Sequence, residues 1–263
     1  DLLVLNVDSD HLDYFKNLDN YKDAFYKVMK NVMKNLVINN DDLNIKQMKD
    51  LKKSISYGKH MSSDFKVKSP GIFTYEDNEY EIKSEIIGDH FKSNMLGAII
   101  LALLNGIGIE ESLNAIESFP GVKRRIELIG ISKGVSIYDD YGHHPTEMEA
   151  SITALKQKTE NELYVVFQPH RYTRTKEYFN LFKDSLKLAD YAIVTDIYPA
   201  GEPPIPGVSS KNFEDGSIKY IKSIRHVPKY LSKKVKNGDI VLTLGAGDIT
   251  LLAPKILKYL NEY

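Results

Sequence analysis

The chain has 263 residues, of which 42% are hydrophobic, so it can bury a sizeable core in one large or two ordinary domains. Its 35 basic and 36 acidic residues give a formal charge of −1, which excludes a broad electrostatic field for nucleic acid or an anionic membrane. Because cysteine is absent, disulfides, thiolate nucleophiles and cysteine-ligated zinc are excluded. The apolar runs are too short to cross a bilayer, and together with the absence of cysteine they predict a cytosolic protein.

The first half begins with a predicted buried strand, LLVLNV, which runs into the carboxylate- and histidine-rich turn DSDHLD. Helical spacing follows over 21–32, and NLVINNDD predicts a further strand. The stretch 54–87 is β-rich, and alternation in DFKVK and EYEIKSEII predicts half-exposed antiparallel strands. Helices are predicted near 91–105 and 110–118. A strand that starts at residue 2 leaves a sheet edge open, so we expect the sequence to begin inside a domain.

The second half alternates predicted strands and helices, which indicates a doubly wound, mostly parallel, Rossmann-like sheet with right-handed crossovers. Strands are predicted at 134–140, 162–167, 191–197, 218–221 and 239–245, with helices after 145, through 178–186, near 209–215, near 228–236 and from about 249. Ligands bind such sheets at the carboxyl ends of the strands. Four strands run into polar loops, YDDYGHHP, QPHRYTRT, YPAGEPPIPG and GAGD, which we expect to converge on one edge.

Arginine is scarce and clustered. Of the 35 basic residues only five are arginine, and four of these lie in GVKRRIE (Arg124 and Arg125) and PHRYTRT (Arg171 and Arg174). Arginine presents a planar fork of donors that lysine lacks, and carboxylate or phosphate recognition requires that fork. The clusters therefore predict anion-binding positions, with chance clustering as the alternative.

Seven short motifs, in order, carry a resemblance to a known family. They are NVDSDHLD, HFKSNMLGAIILALLNGI, FPGVKRRIE, DDYGHHPTE, FQPHRYTRT, YPAGEPPIPGVSS and GAGDI. Each alone is weakly specific, but together they make the chain resemble the Mur ligase family along its whole length, and within it the members that add L-alanine to UDP-N-acetylmuramate. The murein tripeptide recycling ligases are the nearest alternative, and they usually differ where FQPHRYTRT stands.

The resemblance implies an ATP-dependent enzyme of peptidoglycan precursor synthesis, with ATP and Mg²⁺ and an acyl-phosphate intermediate that the amine of alanine attacks. It implies three domains, of which this chain would hold part of the central ATP-binding domain (1–120) and the C-terminal Rossmann-like substrate-binding domain (121–263), hinged at SFPGVKRR. No phosphate-binding G-x-x-x-x-G-K-S/T loop occurs in the sequence, so we expect a fragment that is inactive alone. Small molecules are the expected partners, with no nucleic acid and no membrane.

In the first half, the resemblance implies that His11 is a ligand of a second magnesium ion, although magnesium prefers oxygen. The alternative is a turn histidine that is hydrogen-bonded to Asp8 or Asp10. Asn94 resembles an asparagine that faces the adenine of ATP, and a helix cap or a buried polar contact is the alternative. Phe91 departs from the pattern, because the family usually has a second asparagine there.

Around the junction, Arg125 resembles an arginine that reaches the transferred phosphate, while its neighbour Arg124 is expected to be solvated. Asp140, at the end of its strand, resembles the carboxylate that meets the ATP ribose, since a carboxylate can accept from two hydroxyl groups.

In the remaining loops, Tyr141 is predicted to bind substrate, and His143 and His144 to face it. A histidine there could take the proton that an alanine ammonium must lose before attack; packing at the start of a helix is the alternative. Arg171 and Arg174 would clamp the alanine carboxylate or an interdomain phosphate.

Two other functional classes are alternatives to the ligase. A dinucleotide-binding oxidoreductase needs G-x-G-x-x-G after a first strand, and the sequence lacks it. A noncatalytic ligand-binding module remains an alternative for the chain in isolation. GAGD is weakly specific, because most such turns only start a helix.

Overall fold

The computed structural model describes residues 1–48, 51 and 54–262, and of Asp13 the backbone only. The chain divides into two compact units, Asp1–Pro120 and Gly121–Tyr263. Within the described residues no helix is both long enough and apolar enough to span a membrane.

A six-stranded sheet with its strands in chain order forms the centre of the first unit. The strands are β1 (Leu2–Val4), β2 (Leu36–Asn39), β3 (Ser54–Gly58), β4 (Phe65–Ser69), β5 (Ile72–Tyr75) and β6 (Asn78–Glu81). Pairing is parallel from β1 to β4 and antiparallel from β4 to β6. The antiparallel end corresponds to the half-exposed alternation read from the sequence.

Among the described residues of this unit, five helices accompany the sheet. They are α1 (Leu12–Phe15), α2 (Leu18–Lys30), α3 (Leu43–Lys46), α4 (Asp89–Leu103) and α5 (Ile109–Glu117). The apolar α4 buries Leu96, Ile99 and Ile100 in one cluster with Val37 and Phe73. Full burial stabilises such side chains by about 1.5–3 kcal/mol each, so α4 anchors the core of this unit.

The second unit is built on a six-stranded sheet in the order β11-β10-β9-β12-β8-β7. The strands are β7 (Glu127–Ser132), β8 (Val135–Asp140), β9 (Leu163–Phe167), β10 (Tyr191–Val194), β11 (Ile218–Tyr220) and β12 (Ile240–Leu244). All pairs are parallel except β7 with β8. Every residue of β9 and β12 is buried, which is why both strands are continuous apolar runs.

The helices of this unit pack on its sheet. They are α6 (Pro145–Lys158), α7 (Tyr172–Glu177), α8 (Phe179–Leu186), α9 (Val227–Leu231) and α10 (Leu252–Glu262). Leu252, Ile256 and Leu260 of α10 join the core cluster that contains Val241 of the central strand. At the edge, α10 lies so close to Gly130 of β7 that an added Cβ would fall 2.7 Å from a methyl carbon of Leu257.

The predicted α/β fold class is confirmed, with local corrections. The helix expected near 209–215 is only a 3-10 turn, Ser210–Phe213, because the Asp215 carboxylate accepts from the amides of Ser217 and Ile218 and reverses the chain. The helix expected near 228–236 is the five-residue α9. The sequence reading missed β7, an edge strand with mixed exposure and a glycine.

We expect residues 121–263 to fold as an independent domain, because both sheet edges and both covering layers come from this stretch. Isolated residues 121–263 should unfold cooperatively in urea. A matched chain of residues 121–247, which lacks α10, should not, since it exposes the apolar surface that Leu252, Ile256 and Leu260 cover. A gradual, non-cooperative transition for 121–263 would contradict the expectation.

Candidate functional site

The polar loops that follow β8, β9, β10 and β12 lie at one edge of the second sheet, because parallel strands end together. Backbone hydrogen bonds tie them to one another. The amide of Gly245 donates to the carbonyl of Asp140 at 3.0 Å, and the amide of Arg171 donates to the carbonyl of Tyr198 at 2.8 Å. The four polar loops thus meet at one edge of the sheet, as the strand pattern predicts.

Arg124 is bound at this edge, and the expectation that it is solvated was wrong. Its Nε donates to Asp139 Oδ2 at 3.3 Å and its Nη2 to the carbonyl of Gly245 at 2.7 Å. Its guanidinium carbon lies 4.6 Å from the centre of the Tyr141 ring. Because Asp139 is 1% exposed, its charge needs this partner, and loss of the arginine would leave a buried carboxylate unpaired.

Two threonines complete the environment of Asp139. The hydroxyl of Thr243 donates to its Oδ1 at 2.6 Å, and the hydroxyl of Thr250 donates to its Oδ2 at 2.7 Å. Each carboxylate oxygen therefore accepts a hydrogen bond from a side chain of the sheet or of the turn that follows it. This arrangement fixes the carboxylate and, through it, the position of Arg124.

The carboxylate of Asp140 accepts hydrogen bonds from the backbone of the protein. Oδ2 accepts from the amide of Ile126 at 2.8 Å and Oδ1 from the amide of Gly142 at 2.6 Å, and the residue is 2% exposed. Burial raises the pKa of Asp140, although the two amides and the charge of Arg125 oppose the rise. A ribose hydroxyl could donate only to the lone pairs of Asp140 that the two amides leave free. The contact of Asp140 with the ATP ribose stays a prediction.

His144 starts helix α6. It is the N-cap, its Nδ1 accepts from the amide of Thr146 at 3.4 Å, and its ring packs edge-on against Tyr178 at 5.0 Å. The carboxylate of Glu147 accepts from the amides of His143 and His144 at 3.0 and 3.2 Å, which closes a capping box. The structure therefore supports the packing alternative for His144; its substrate contact stays a prediction.

His143 faces the other loops instead. Its Nδ1 lies 3.2 Å from the carbonyl of Tyr141 and 3.6 Å from Glu147 Oε2. Its ring centre lies 5.3 Å from that of Tyr141 and 6.0 Å from that of His170. Of the two adjacent histidines, His143 is thus the one positioned among the predicted substrate-binding groups.

Glu147 is a site residue that sequence reasoning missed, although the spacing H-x-x-E of a capping box could have revealed it. Its Oε1 lies 3.4 Å from Nη1 of Arg125. Burial would raise the pKa of Glu147, but the amides of His143 and His144 and the charges of His143 and Arg125 outweigh it and hold the pKa below its usual value. Both side chains are half-buried, and their contact of 3.4 Å is long for a hydrogen bond.

His170 lies between the arginines and an aromatic ring. It stacks on Tyr198 with ring centres 5.6 Å apart and planes 12° from parallel. Burial, followed by the charges of Arg174, His143 and Arg171, lowers its pKa to about 4. The imidazole is therefore neutral at physiological pH, which makes it a hydrogen-bonding and stacking group there.

Arg171 occupies a strained position at the N-cap of α7, with φ 72° and ψ 141°. Side chains other than that of glycine rarely adopt this conformation, which costs of order 1–3 kcal/mol. Its Nε is buried and has no hydrogen-bond partner among the described residues. A buried donor left in this way costs about 1–3 kcal/mol, and an anionic ligand would satisfy it. Arg174 follows three residues later, inside α7.

The GAGD turn packs against the loop after β9. A Cβ on Gly247 would lie 2.4 Å from Gln168 Oε1 and 2.7 Å from a ring carbon of Tyr198. Gln168 donates from Nε2 to Asp248 Oδ1 at 2.7 Å and accepts from the amide of Ile249 at 3.1 Å. The turn then begins the 3-10 helix Asp248–Leu251, so the structure supports the packing interpretation of this motif.

In the first unit, His11 is exposed and starts helix α1 with φ 55°. Its Nε2 lies 3.5 Å from Asp10 Oδ2. Across the described part of the chain, no group of three or more His, Cys, Asp or Glu side chains is arranged to hold a metal. A histidine with one neighbouring carboxylate does not by itself fit magnesium, which takes near-octahedral oxygen ligands, and His11 as a ligand stays a prediction.

Asn94 lies half-buried on the second turn of α4, and Phe91 packs against the core with its ring 4.2 Å from that of His90. A cavity of about 200 Å³ lies beside the first turn. Its polar lining includes Asn39, Asp41, Lys59, His90, Lys92 and Ser93. The contact of Asn94 with adenine stays a prediction.

Comparison with known proteins places both units in one family. A model described as the Mur ligase middle domain matches residues 3–102, and a model described as the Mur ligase, glutamate ligase domain, matches residues 124–247. The chain belongs to the Mur ligase family. The resemblance read from the seven motifs is thereby confirmed.

Two curated relatives of this Mur ligase chain carry the same name. A UDP-N-acetylmuramate–L-alanine ligase of Caldanaerobacter subterraneus subsp. tengcongensis is 37% identical over 279 residues, which cover 97% of this chain and 60% of the relative. The enzyme of the same name from Dictyoglomus turgidum is also 37% identical, over 97% of this chain and 60% of that protein. The chain thus spans about three fifths of the length of the curated relatives it matches.

Solved structures show the same Mur ligase fold. A UDP-N-acetylmuramate–alanine ligase from Thermotoga maritima has a TM-score of 0.76 at 24% identity, over 97% of this chain and 58% of that one. A MurF ligase from Thermotoga maritima in complex with ADP has a TM-score of 0.76 at 21% identity, over 99% and 62%. A murein peptide ligase from Psychrobacter arcticus has a TM-score of 0.64 at 20% identity, over 99% and 57%.

The lowered pKa of His170 predicts how the stability of this Mur ligase chain depends on pH. Its pKa is about 4 in the fold and ~6.5 in the unfolded chain. The unfolded state therefore binds more protons between these values, and the contribution of His170 to stability is complete above pH ~6.5 and decreases as the pH falls. In urea denaturation, the stability of the wild type relative to His170→Gln should decrease from pH 7.5 to pH 5. A difference that stays constant would contradict this.

Proposed function

We propose that the chain supplies part of the ATP-binding machinery and the amino-acid site of a ligase that joins L-alanine to UDP-N-acetylmuramate. The curated relatives of that name support the substrates. The observation that carries the proposal is the buried, unsatisfied Nε of Arg171 beside Arg174 and the neutral His170, at the edge where parallel sheets bind ligands. A small carboxylate such as that of alanine suits this arrangement.

The proposed reaction makes an amide in two steps. ATP, when bound with Mg²⁺, supplies a phosphoryl group to the lactyl carboxylate of the sugar, which leaves ADP and an acyl phosphate. The free amine of alanine attacks the acyl carbon, and the tetrahedral intermediate loses inorganic phosphate. The domain roles follow: 1–120 would be a partial central ATP-binding domain and 121–263 the substrate-binding domain.

Arg171 and Arg174 would hold the alanine carboxylate, which leaves its ammonium group free to face the acyl carbon. The ammonium must lose a proton before it attacks, and His143 is the imidazole placed among these loops to receive it. Tyr141, whose ring lies 5.3 Å from that of His143, would bound the same pocket. His170 cannot compete for the proton, because burial and the arginines hold its pKa at about 4.

Arg125 would interact with the transferred phosphoryl group, since its side chain is 40% exposed and its contact with Glu147 is long, at 3.4 Å. Asn94 would meet adenine and Asp140 the ribose, and His11 would contribute to a magnesium site that other residues complete. Because the proposed reaction consumes ATP, it would take place in the cytoplasm. The formal charge of −1 supports small-molecule partners over nucleic acid or a membrane surface.

A recycling ligase that attaches a murein tripeptide is the second candidate, favoured by the fold of the Psychrobacter arcticus murein peptide ligase. Its identity of 20% supports the fold alone, whereas the relatives at 37% carry the alanine name. The full-length natural protein decides between them. Phosphate release with ATP and UDP-N-acetylmuramate should require L-alanine, and replacement of alanine by the tripeptide should abolish it.

Arg174→Lys tests the need for a guanidinium fork. The substitution preserves charge but removes bidentate pairing. A charged hydrogen bond contributes roughly 1.5–3 kcal/mol, so kcat/KM of the full-length protein should fall about ten- to a hundredfold. The defect should appear as a raised KM for alanine if the clamp holds the amino acid, and as a lowered kcat if it acts on the phosphorylated intermediate.

The matched control is Arg225→Lys, which changes the one arginine outside the two clusters, on an exposed turn. Its kinetics should remain those of the wild type. Wild-type kinetics for both Arg171→Lys and Arg174→Lys in folded protein would show that the cluster is a solvated surface and would refute the clamp.

We also expect these 263 residues alone to bind ATP weakly and to release no phosphate. They contain no G-x-x-x-x-G-K-S/T loop, whose backbone amides supply most contacts to a triphosphate. Contacts with ribose and adenine add little without them. Titration calorimetry on this chain should show no micromolar binding of ATP, and a micromolar dissociation constant would overturn the expectation.

A further inference from the structure

Helix α7, which carries both predicted clamp arginines, has no cap of its own. Its N-cap residue is Arg171, whose side chain has only donors and makes no capping hydrogen bond. Helix starts normally take Ser, Thr, Asp or Asn, because a side-chain oxygen there accepts from the first free amides. An acceptor for the start of α7 must therefore come from elsewhere in the fold.

Glu202, on the loop after β10, supplies that acceptor. Its Oε2 accepts from the amide of Thr173 at 3.0 Å, and its Oε1 accepts from the Thr173 hydroxyl at 2.6 Å. The amide of Tyr172 donates to the same carboxylate. A single side chain thus satisfies the first turn of α7 from a separate loop, 29 positions along the chain from Thr173.

The loop that carries Glu202 is itself fixed to the start of α7. The Tyr198 amide donates to the Pro169 carbonyl at 2.8 Å, and the Tyr198 carbonyl accepts from Arg171 at 2.8 Å. A tight turn follows, in which the Glu202 amide donates to the Pro199 carbonyl at 2.9 Å. The turn therefore brings the Glu202 carboxylate to the start of α7, a few residues after the point where the two loops are hydrogen-bonded.

Charge supports the same arrangement. Burial would raise the pKa of Glu202, but the hydrogen bonds of Thr173, the amide of Tyr172 and the charge of Arg171 outweigh it and lower the pKa. Glu202 is therefore ionised at neutral pH, next to a guanidinium that is held in a strained backbone position. An ionised carboxylate at this place attracts both the positive end of the helix and Arg171.

We propose that Glu202 is a positioning residue that caps α7 from the neighbouring loop and thereby sets Arg171 and Arg174 at the spacing required by the carboxylate of the amino-acid substrate. This inference rests on the proposed ligase function. Glu202 acts through the arginines and does not touch substrate. Its loss allows the first turn of α7 to move and weakens recognition of the amino acid before it affects binding of the nucleotide.

The test is Glu202→Gln in the full-length natural protein, with steady-state kinetics for each substrate. Glutamine keeps the shape and one acceptor but loses the charge. KM for L-alanine should rise about three- to tenfold, whereas kcat and KM for ATP should change less than about twofold. The matched control is Glu177→Gln, which removes an exposed carboxylate from the same helix and should leave all three constants unchanged.

A second variant keeps the inference falsifiable if Glu202→Gln folds poorly. Thr173→Val removes the hydroxyl donor to Glu202 and should also raise KM for alanine, and the double variant should be no worse than the more impaired single variant. Additive effects, equal losses in KM for ATP and kcat, or wild-type constants in folded variants would each overturn the positioning role. A wild-type protein without alanine-dependent turnover would overturn the proposed function, and this inference with it.

Discussion

Parallel pairing of β8, β12, β9 and β10 is the constraint on which the candidate site depends. The ionisable residues of the site lie at the last two positions of β8 and in the loops that follow these strands. Because the pairing is parallel, those loops share an edge. Arg124 of the segment before β7 is then held at the same edge by Asp139 at the end of β8.

The two adjacent aspartates of β8, Asp139 and Asp140, hold different groups at that edge. Alternation along a strand points their side chains to opposite faces. Asp139 binds Arg124 and two hydroxyls, whereas Asp140 binds the amides of Ile126 and Gly142. Both carboxylates thus bind protein groups at this edge, and a ligand would meet the histidine and the arginines around them together with the lone pairs that Asp140 has left.

Sequence periodicity was sufficient for five of the six strands of the second sheet and for the positions of their loops, because continuous apolar runs and helix starts such as HHPTE are local signals. The scarcity of arginine predicted Arg171 and Arg174 as anion-binding positions. The partner of Arg124 could not be read in this way, because Gly245 lies 121 positions away and only the folded sheet brings it near. Glu202 was missed for the same reason: a carboxylate that caps a helix from another loop has no spacing rule.

Three of the non-glycine residues with positive φ lie at or beside the arginines of the site. Arg124 has φ 60°, Ile126 φ 48° and Arg171 φ 72°, all values that favour glycine. Each of these amides is held by an acceptor: Glu127 for Arg124, Asp140 for Ile126 and the carbonyl of Tyr198 for Arg171. Glycine would relax the backbone at 171 but would remove the guanidinium. We attribute the arginine at 171 to the anion that its side chain is proposed to bind, and the surrounding hydrogen bonds make its backbone conformation tolerable.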